Sequence, residues 1–203
     1  MGTQFTEVYN RFLSMITTDE YVEMTPEDTI RDLRSLLLNA IPNFEFPRKN
    51  LYDYSLETEV IREDQVKEGD FVIGVVWDTP EGQTLENGGS DTPPDVYIEH
   101  SSFNIDLTSE EINILAIIMM TEWVQRQVTS IENTRMKYSG SDFSFTSQAN
   151  HLAKLQSLLG ECQKQSIHMQ RLYKRRKIAD DGTIESNWDI FRNGVFGDYN
   201  VQH

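Results

Sequence analysis

The sequence predicts a mainly α chain with a β-rich insertion, an α+β class, and three observations carry that prediction. Two long runs, from Ser109 to about Lys137 and from about Thr146 to Lys177, place apolar residues at spacings of three and four. The stretch from Leu51 to Phe103 instead holds runs that alternate apolar with polar residues, separated by turn-forming sequence. A 3.6-residue period reads as helix and a two-residue period as strand. Third, 203 residues with 38% hydrophobic side chains suffice for one sizeable core or two small ones, which excludes a wholly disordered chain. Four segments follow: N-terminal helices over 1–50, a β-rich insertion over 51–105 with a mobile loop at 79–95, a helical hairpin over 106–177, and an extended C-terminal arm over 178–203.

In the first segment, Phe5, Val8, Phe12, Met15 and Ile16 line one face of an amphipathic helix. A second helix begins at MTPED. Thr25 can cap it, Pro26 sits where its missing N–H is harmless, and Glu27 and Asp28 suit the positive end of the dipole. Leu33, Leu36, Leu37 and Ala40 form its apolar stripe, and Pro42 stops it.

After Pro42, NFEFPRKNLYDYSL alternates aromatic and polar residues around Pro47, the pattern of an edge strand or an extended segment lying along another subunit or element. Phe71, Ile73, Val75 and Trp77 alternate in one strand, and Val96, Ile98 and the residues to Phe103 form another. Between them, DTPEGQTLENGGSDTPPD is too polar to pack and too long for a tight turn, so it is expected at the tip of a long hairpin.

Thr108 followed by Glu111 is a capping box, so the first long helix should start at Ser109. Its first half, EINILAIIMMTEW, is apolar nearly all round and should be buried on more than one side. In the second long helix, Leu152, Leu155, Leu159, Cys162, Met169 and Tyr173 share the inward face with Ser166 as the polar exception, and Leu155 and Leu159 are expected to be buried. At about 1.5 Å per residue this helix is roughly 45 Å long, so one end should project. The short join Tyr138 to Phe145 makes the two an antiparallel hairpin.

Charge is unevenly placed. Residues 53–111 hold 16 acidic and 2 basic side chains, against a whole-chain net charge of -15. That field disfavours duplex nucleic acid there and suits a basic protein surface, although solvation alone would also explain it. In contrast, RLYKRRK puts Arg171, Lys174, Arg175, Arg176 and Lys177 at the end of the last helix. The helix dipole accounts for cations there by itself. Contact with an acidic partner, a neighbouring copy's acidic middle region or nucleic acid is the functional alternative. Beyond it, the turn-rich segment from Ala179 carries Trp188, Phe191 and Phe196, spaced as anchors for an arm that docks on its own fold or on a neighbour.

Motifs for phosphate cradling, metal hydrolysis, nucleophilic serine and dinucleotide binding are absent from the sequence. His151 and His168 stand roughly 25 Å apart on one helix and cannot share a metal within a chain. His100, His151, His168 and His203 are expected at the surface or an interface. Glu63 with Asp64 and Asp180 with Asp181 could bind a divalent ion, but neither pair has calcium-loop spacing. Cys162, the only cysteine, is expected to be a buried structural thiol. No catalytic residue, metal or cofactor is expected. The longest apolar run, Ile114 to Met120, is too short for a membrane span, and the N-terminus lacks a secretory pattern, so neither a membrane nor a leader is expected.

The order of features resembles the head-to-tail connector proteins of tailed bacteriophages, also called adaptor, neck or head-completion proteins. The resemblance is one of pattern. It is clearest over Phe103 to Lys177, through FNIDLTSEEINILAIIMMTEWVQRQV and YSGSDFSFTSQANHLAKLQSLLGECQKQSIHMQRLYKRRK. It implies a structural virion protein assembled in the host cytoplasm as a homo-oligomeric ring, usually of twelve copies, beneath the portal protein. DNA would pass through the lumen without sequence-specific binding, and C-terminal extensions would grip the portal. The β-rich segment from Leu51 to Phe103 is longer than in a minimal helical adaptor. That leaves a tail terminator or baseplate component as one alternative and a small enzyme or regulatory binding module as another.

Overall fold

A computed structural model describes residues 2–16, 20–67, 70, 72–75, 95–137, 146–178 and 184–186. Helix α1 (Phe5–Leu13) buries Phe5, Val8 and Phe12 as the spacing predicts, together with Thr6 and Tyr9, but it ends before Met15 and Ile16, which follow the Ser14 C-cap and are half-buried. A single turn, α2 (Glu20–Glu23), was not foreseen and precedes α3 (Pro26–Ala40). At the start of α3, Thr25 Oγ1 accepts from the Asp28 amide, and Pro26 occupies the first turn. Pro42 ends α3 by tightening the chain into a 3₁₀ turn over Ile41–Asn43.

The segment after Pro42 lies against the last helix, one of its two expected forms, and becomes strand only near its end. Only β1 (Tyr54–Ser55) is strand, paired antiparallel with β5 (Ser102–Phe103). Residues 44–49 follow an irregular path because side chains of the last helix, not a neighbouring strand, satisfy their backbone: Gln170 Oε1 accepts from the Glu45 amide at 2.8 Å. A second unforeseen element is β2 (Thr58–Arg62). It joins β3 (Val72–Val75) and β4 (Asp95–Glu99) in an antiparallel sheet of order β2-β4-β3. The expected β3–β4 pairing forms, and Asp95, assigned to the loop from sequence, is the first residue of β4. Residues 76–94, which hold the rest of that loop and the expected strand position Trp77, lie outside the described residues, as does Phe71.

At the N-terminus, the Thr3 amide donates to the Ile105 carbonyl and the Phe103 amide to the Thr3 carbonyl. Gly2 lies so close to this strand that a Cβ would fall 1.7 Å from the Phe103 carbonyl oxygen. Only glycine fits such an approach.

The capping box forms as predicted at α4 (Ser109–Lys137): Thr108 Oγ1 accepts from the Glu111 amide, and Glu111 Oε2 accepts from the Thr108 amide at 2.7 Å. Helix α5 (Thr146–Arg175) runs antiparallel to α4, since Glu132 meets Gln156 near one end and Glu111 meets Tyr173 near the other. The residues that join the two helices lie outside the described ones. Helix α5 ends two residues earlier than expected. The chain passes directly into β6 (Arg176–Ile178), which pairs with β7 (Ile184–Ser186).

The main core unites α1, α3, Leu51, Phe103, Leu107, the first half of α4 and Tyr173. A smaller cluster of Val124, Val128 and Leu152 belongs to the distal half of the hairpin alone. Here Leu155 and Leu159 are only half-buried, contrary to expectation, because among the described residues that half meets only its partner helix through an apolar cluster. Cys162 is buried, and burial pushes its thiol above the usual range, with the neighbouring Glu161 carboxylate adding to the effect. Leu152→Ala should destabilise by about 2–3 kcal/mol, and Leu155→Ala or Leu159→Ala by about 1 kcal/mol, since half-exposed methyls bring less transfer energy. Urea unfolding of the three variants tests this ranking, and equal losses would place a different face of α5 inward.

Candidate interaction surface

The basic end of α5 is assembled by contacts far away in sequence. Arg48 lies with its guanidinium 4.1 Å from the centre of the Tyr173 ring. It donates to the Tyr173 carbonyl at 2.6 Å and also to the Arg176 carbonyl. Helices leave their last carbonyls unpaired, so a cation donating there both caps α5 and complements its dipole. Tyr173 in turn donates to Glu111 Oε1 at 2.5 Å, and Lys49 Nζ stands 3.8 Å from Glu111 Oε2. Burial raises the Tyr173 phenol above its usual range, and its hydrogen bond to the Glu111 carboxylate raises it further. Together, Arg48, Lys49, Glu111 and Tyr173 clamp the start of α4 to the end of α5.

The clamp divides the predicted basic cluster. Arg171, Lys174 and Arg175 are exposed on α5. The Lys174 ammonium lies 3.8 Å from the Phe46 ring centre, a cation–π contact that covers part of an otherwise exposed aromatic. Arg176 is already in β6 and pairs with Glu110 at 3.0 Å. Lys177 stands opposite Glu185 in the β6–β7 ladder. Among the described residues, Arg171 and Arg175 make no ion pair. Trp188, Phe191 and Phe196 lie outside the described residues, as do Asp180, Asp181 and His203. Of the arm, Ile178 and Ile184–Ser186 are described, and they belong to the antiparallel β6–β7 pair, which the Asp181-Gly182 pair between RKI and IES could have signalled.

Sequence reasoning missed the clamp's Arg48 and the polar cluster around Arg34. Arg34 Nη2 reaches both oxygens of Glu99 at 3.0 Å, Thr58 Oγ1 at 2.5 Å and Ser101 Oγ at 3.2 Å. The Glu99 side chain is fully enclosed although it lies in the acidic segment, where solvated carboxylates were expected. Among the described residues the buried Tyr9 hydroxyl has no hydrogen-bond partner. Burial raises its phenol, Glu99 adds to the rise, and Arg34 opposes it. His100 lies 3.4 Å from Glu59, while His151, His168, Glu63 and Asp64 are exposed. Among the described residues no three potential metal ligands converge, and no helix is long and apolar enough to cross a membrane. Against known proteins, neither a family model, nor a curated protein, nor a solved structure matches this chain.

Proposed function

We propose that the chain is a structural subunit of the head-to-tail connector of a tailed bacteriophage, without catalytic activity, which assembles as a ring against the portal and lets DNA pass. The observation that carries this reading is the α4/α5 hairpin. It is clamped to the core at one end, while among the described residues the small apolar cluster of its distal half is built by the two helices alone. Such an element offers long faces to neighbouring molecules. The exposed basic end of α5 and the acidic segment 53–111 supply surfaces of opposite sign. A tail-terminator role would call for a closed sheet of four or more strands from residues 51–103, whereas the largest sheet among the described residues has three.

The test is the mass of the purified full chain, measured alone and with portal protein. Rings, formed alone or templated by portal, are the expected result. A monomer that ignores portal under all conditions would overturn the reading. A chain ending at Ser186 keeps the β6–β7 hairpin but lacks Trp188, Phe191 and Phe196. It should stay folded and lose portal binding if those anchors grip the portal.

A further inference from the structure

The exposed cations of α5 form a single line that extends past the basic cluster. Lys164, His168, Arg171 and Arg175 follow one another at spacings of four, three and four, and all are exposed. At 3.6 residues per turn they fall within an arc of about 60° and span roughly 16 Å. The buried residues Cys162, Ser166, Gln170 and Tyr173 lie on the opposite side of the same helix. The ridge therefore points directly away from α4. Its closest acidic neighbour along the helix, Glu161, lies one turn before Lys164.

A surface of opposite sign lies elsewhere on the chain, on elements that α5 reaches through α4 and α3. Helix α5 packs on α4, α4 on α1 and α3, and α3 on strands β3 and β4. Strand β2 is an edge of that sheet. Exposed Glu57 precedes β2, exposed Glu59 lies within it, and exposed Glu63 and Asp64 follow in a 3₁₀ turn, with Arg62 the one cation among them. Glu59 is in contact with His100, whereas Glu57, Glu63 and Asp64 make no ion pair among the described residues. From Glu57 to Glu63 an extended chain covers about 20 Å. That length is close to the length of the cationic ridge.

Building on the ring-subunit reading, we propose that the ridge Lys164–His168–Arg171–Arg175 of one copy docks on the Glu57–Asp64 edge of a second copy of this chain. Two complementary but different patches on a subunit make a head-to-tail contact, which closes into a ring when the rotation between copies allows it. Opposite charge steers the encounter and sets the register of the contact.

The experiment uses two charge-reversed full chains, one with Lys164→Glu, Arg171→Glu and Arg175→Glu, the other with Glu57→Lys, Glu63→Lys and Asp64→Lys. All six positions are exposed, and circular dichroism confirms that each chain folds. Sedimentation, with portal present if wild type requires it, should show each variant weakened in self-association by at least roughly tenfold. An equimolar mixture should recover assembly, because each reversed patch then meets its complement on the other chain. Raising the salt should weaken wild-type assembly. Variants that assemble alone as wild type does, or a mixture that stays apart, would overturn this contact while leaving the ring reading intact. A wild-type chain that is monomeric with and without portal would overturn both.

Discussion

Replacing Arg34 by Met is expected to destabilise the protein by about 3–5 kcal/mol, because it strips a buried carboxylate of its cation. The Glu99 side chain is 0% exposed, and both its oxygens accept from Arg34 Nη2. After the substitution, among the described residues only the Ser101 amide, at 2.9 Å, would still donate to it. The same guanidinium links α3 to Thr58 at the start of β2, so the sheet would also lose an attachment. The double variant Arg34→Met, Glu99→Gln should recover most of the loss, since no charge is then left without a partner. Urea unfolding of the two variants decides the matter. A loss below about 1 kcal/mol in the single variant would mean that Glu99 is neutralised or hydrated in some other way.

The second large effect is expected at Tyr173, the only α5 residue among the buried members of the main core. Tyr173→Ala should remove about 3–5 kcal/mol, as large-to-small changes of buried aromatics do, and it would also take away the ring on which Arg48 lies. Tyr173→Phe keeps the ring but withdraws the hydroxyl from Glu111, leaving the carboxylate with Thr108 and the more distant Lys49, for a loss of about 1–3 kcal/mol. The alkaline behaviour has a definite sign. Because the Tyr173 phenol is raised in the folded state, its neutral form supports the fold below the ordinary tyrosine value near 10. That support is lost as the pH rises above it. Tyr173→Phe should therefore flatten the fall in stability on the alkaline side, measured by thermal unfolding from neutral pH upward.

What could be read from the sequence was local, and what could not was set by distant partners. The Thr25 cap, the Thr108–Glu111 box and the apolar stripes of α1, α3 and α4 depend on residues within a few turns, so pattern was enough for them. Strand β2, with the sequence TEVIR, shows no clean alternation, and its register is imposed by β4 through pairs such as Val60 with Tyr97. The path of residues 44–49 depends on Gln170 and Tyr173, 125 residues away. In the candidate surface, the cations themselves were evident. Their division into inward and outward groups was not, because it needs the position of Glu110 beside Arg176 and of Phe46 beneath Lys174. Half-burial of Leu155 and Leu159 was hidden for a similar reason: an apolar stripe reveals which face of a helix turns inward but not how many neighbours await it.

The clamp joins the start of α4 to the end of α5 beside the main core, so it sets how far one helix is slid along the other. Farther along α4, Arg126 pairs with Asp32 of α3, a second tie roughly 23 Å from Glu111. A slide of α5 along α4 by one helical turn, about 5.4 Å, exceeds the tolerance of a hydrogen bond and would break the Glu111–Tyr173 contact first. A molecule seated against the far half of the hairpin would thus meet a surface whose alignment is set by Arg48, Lys49, Glu111 and Tyr173, residues it need not touch.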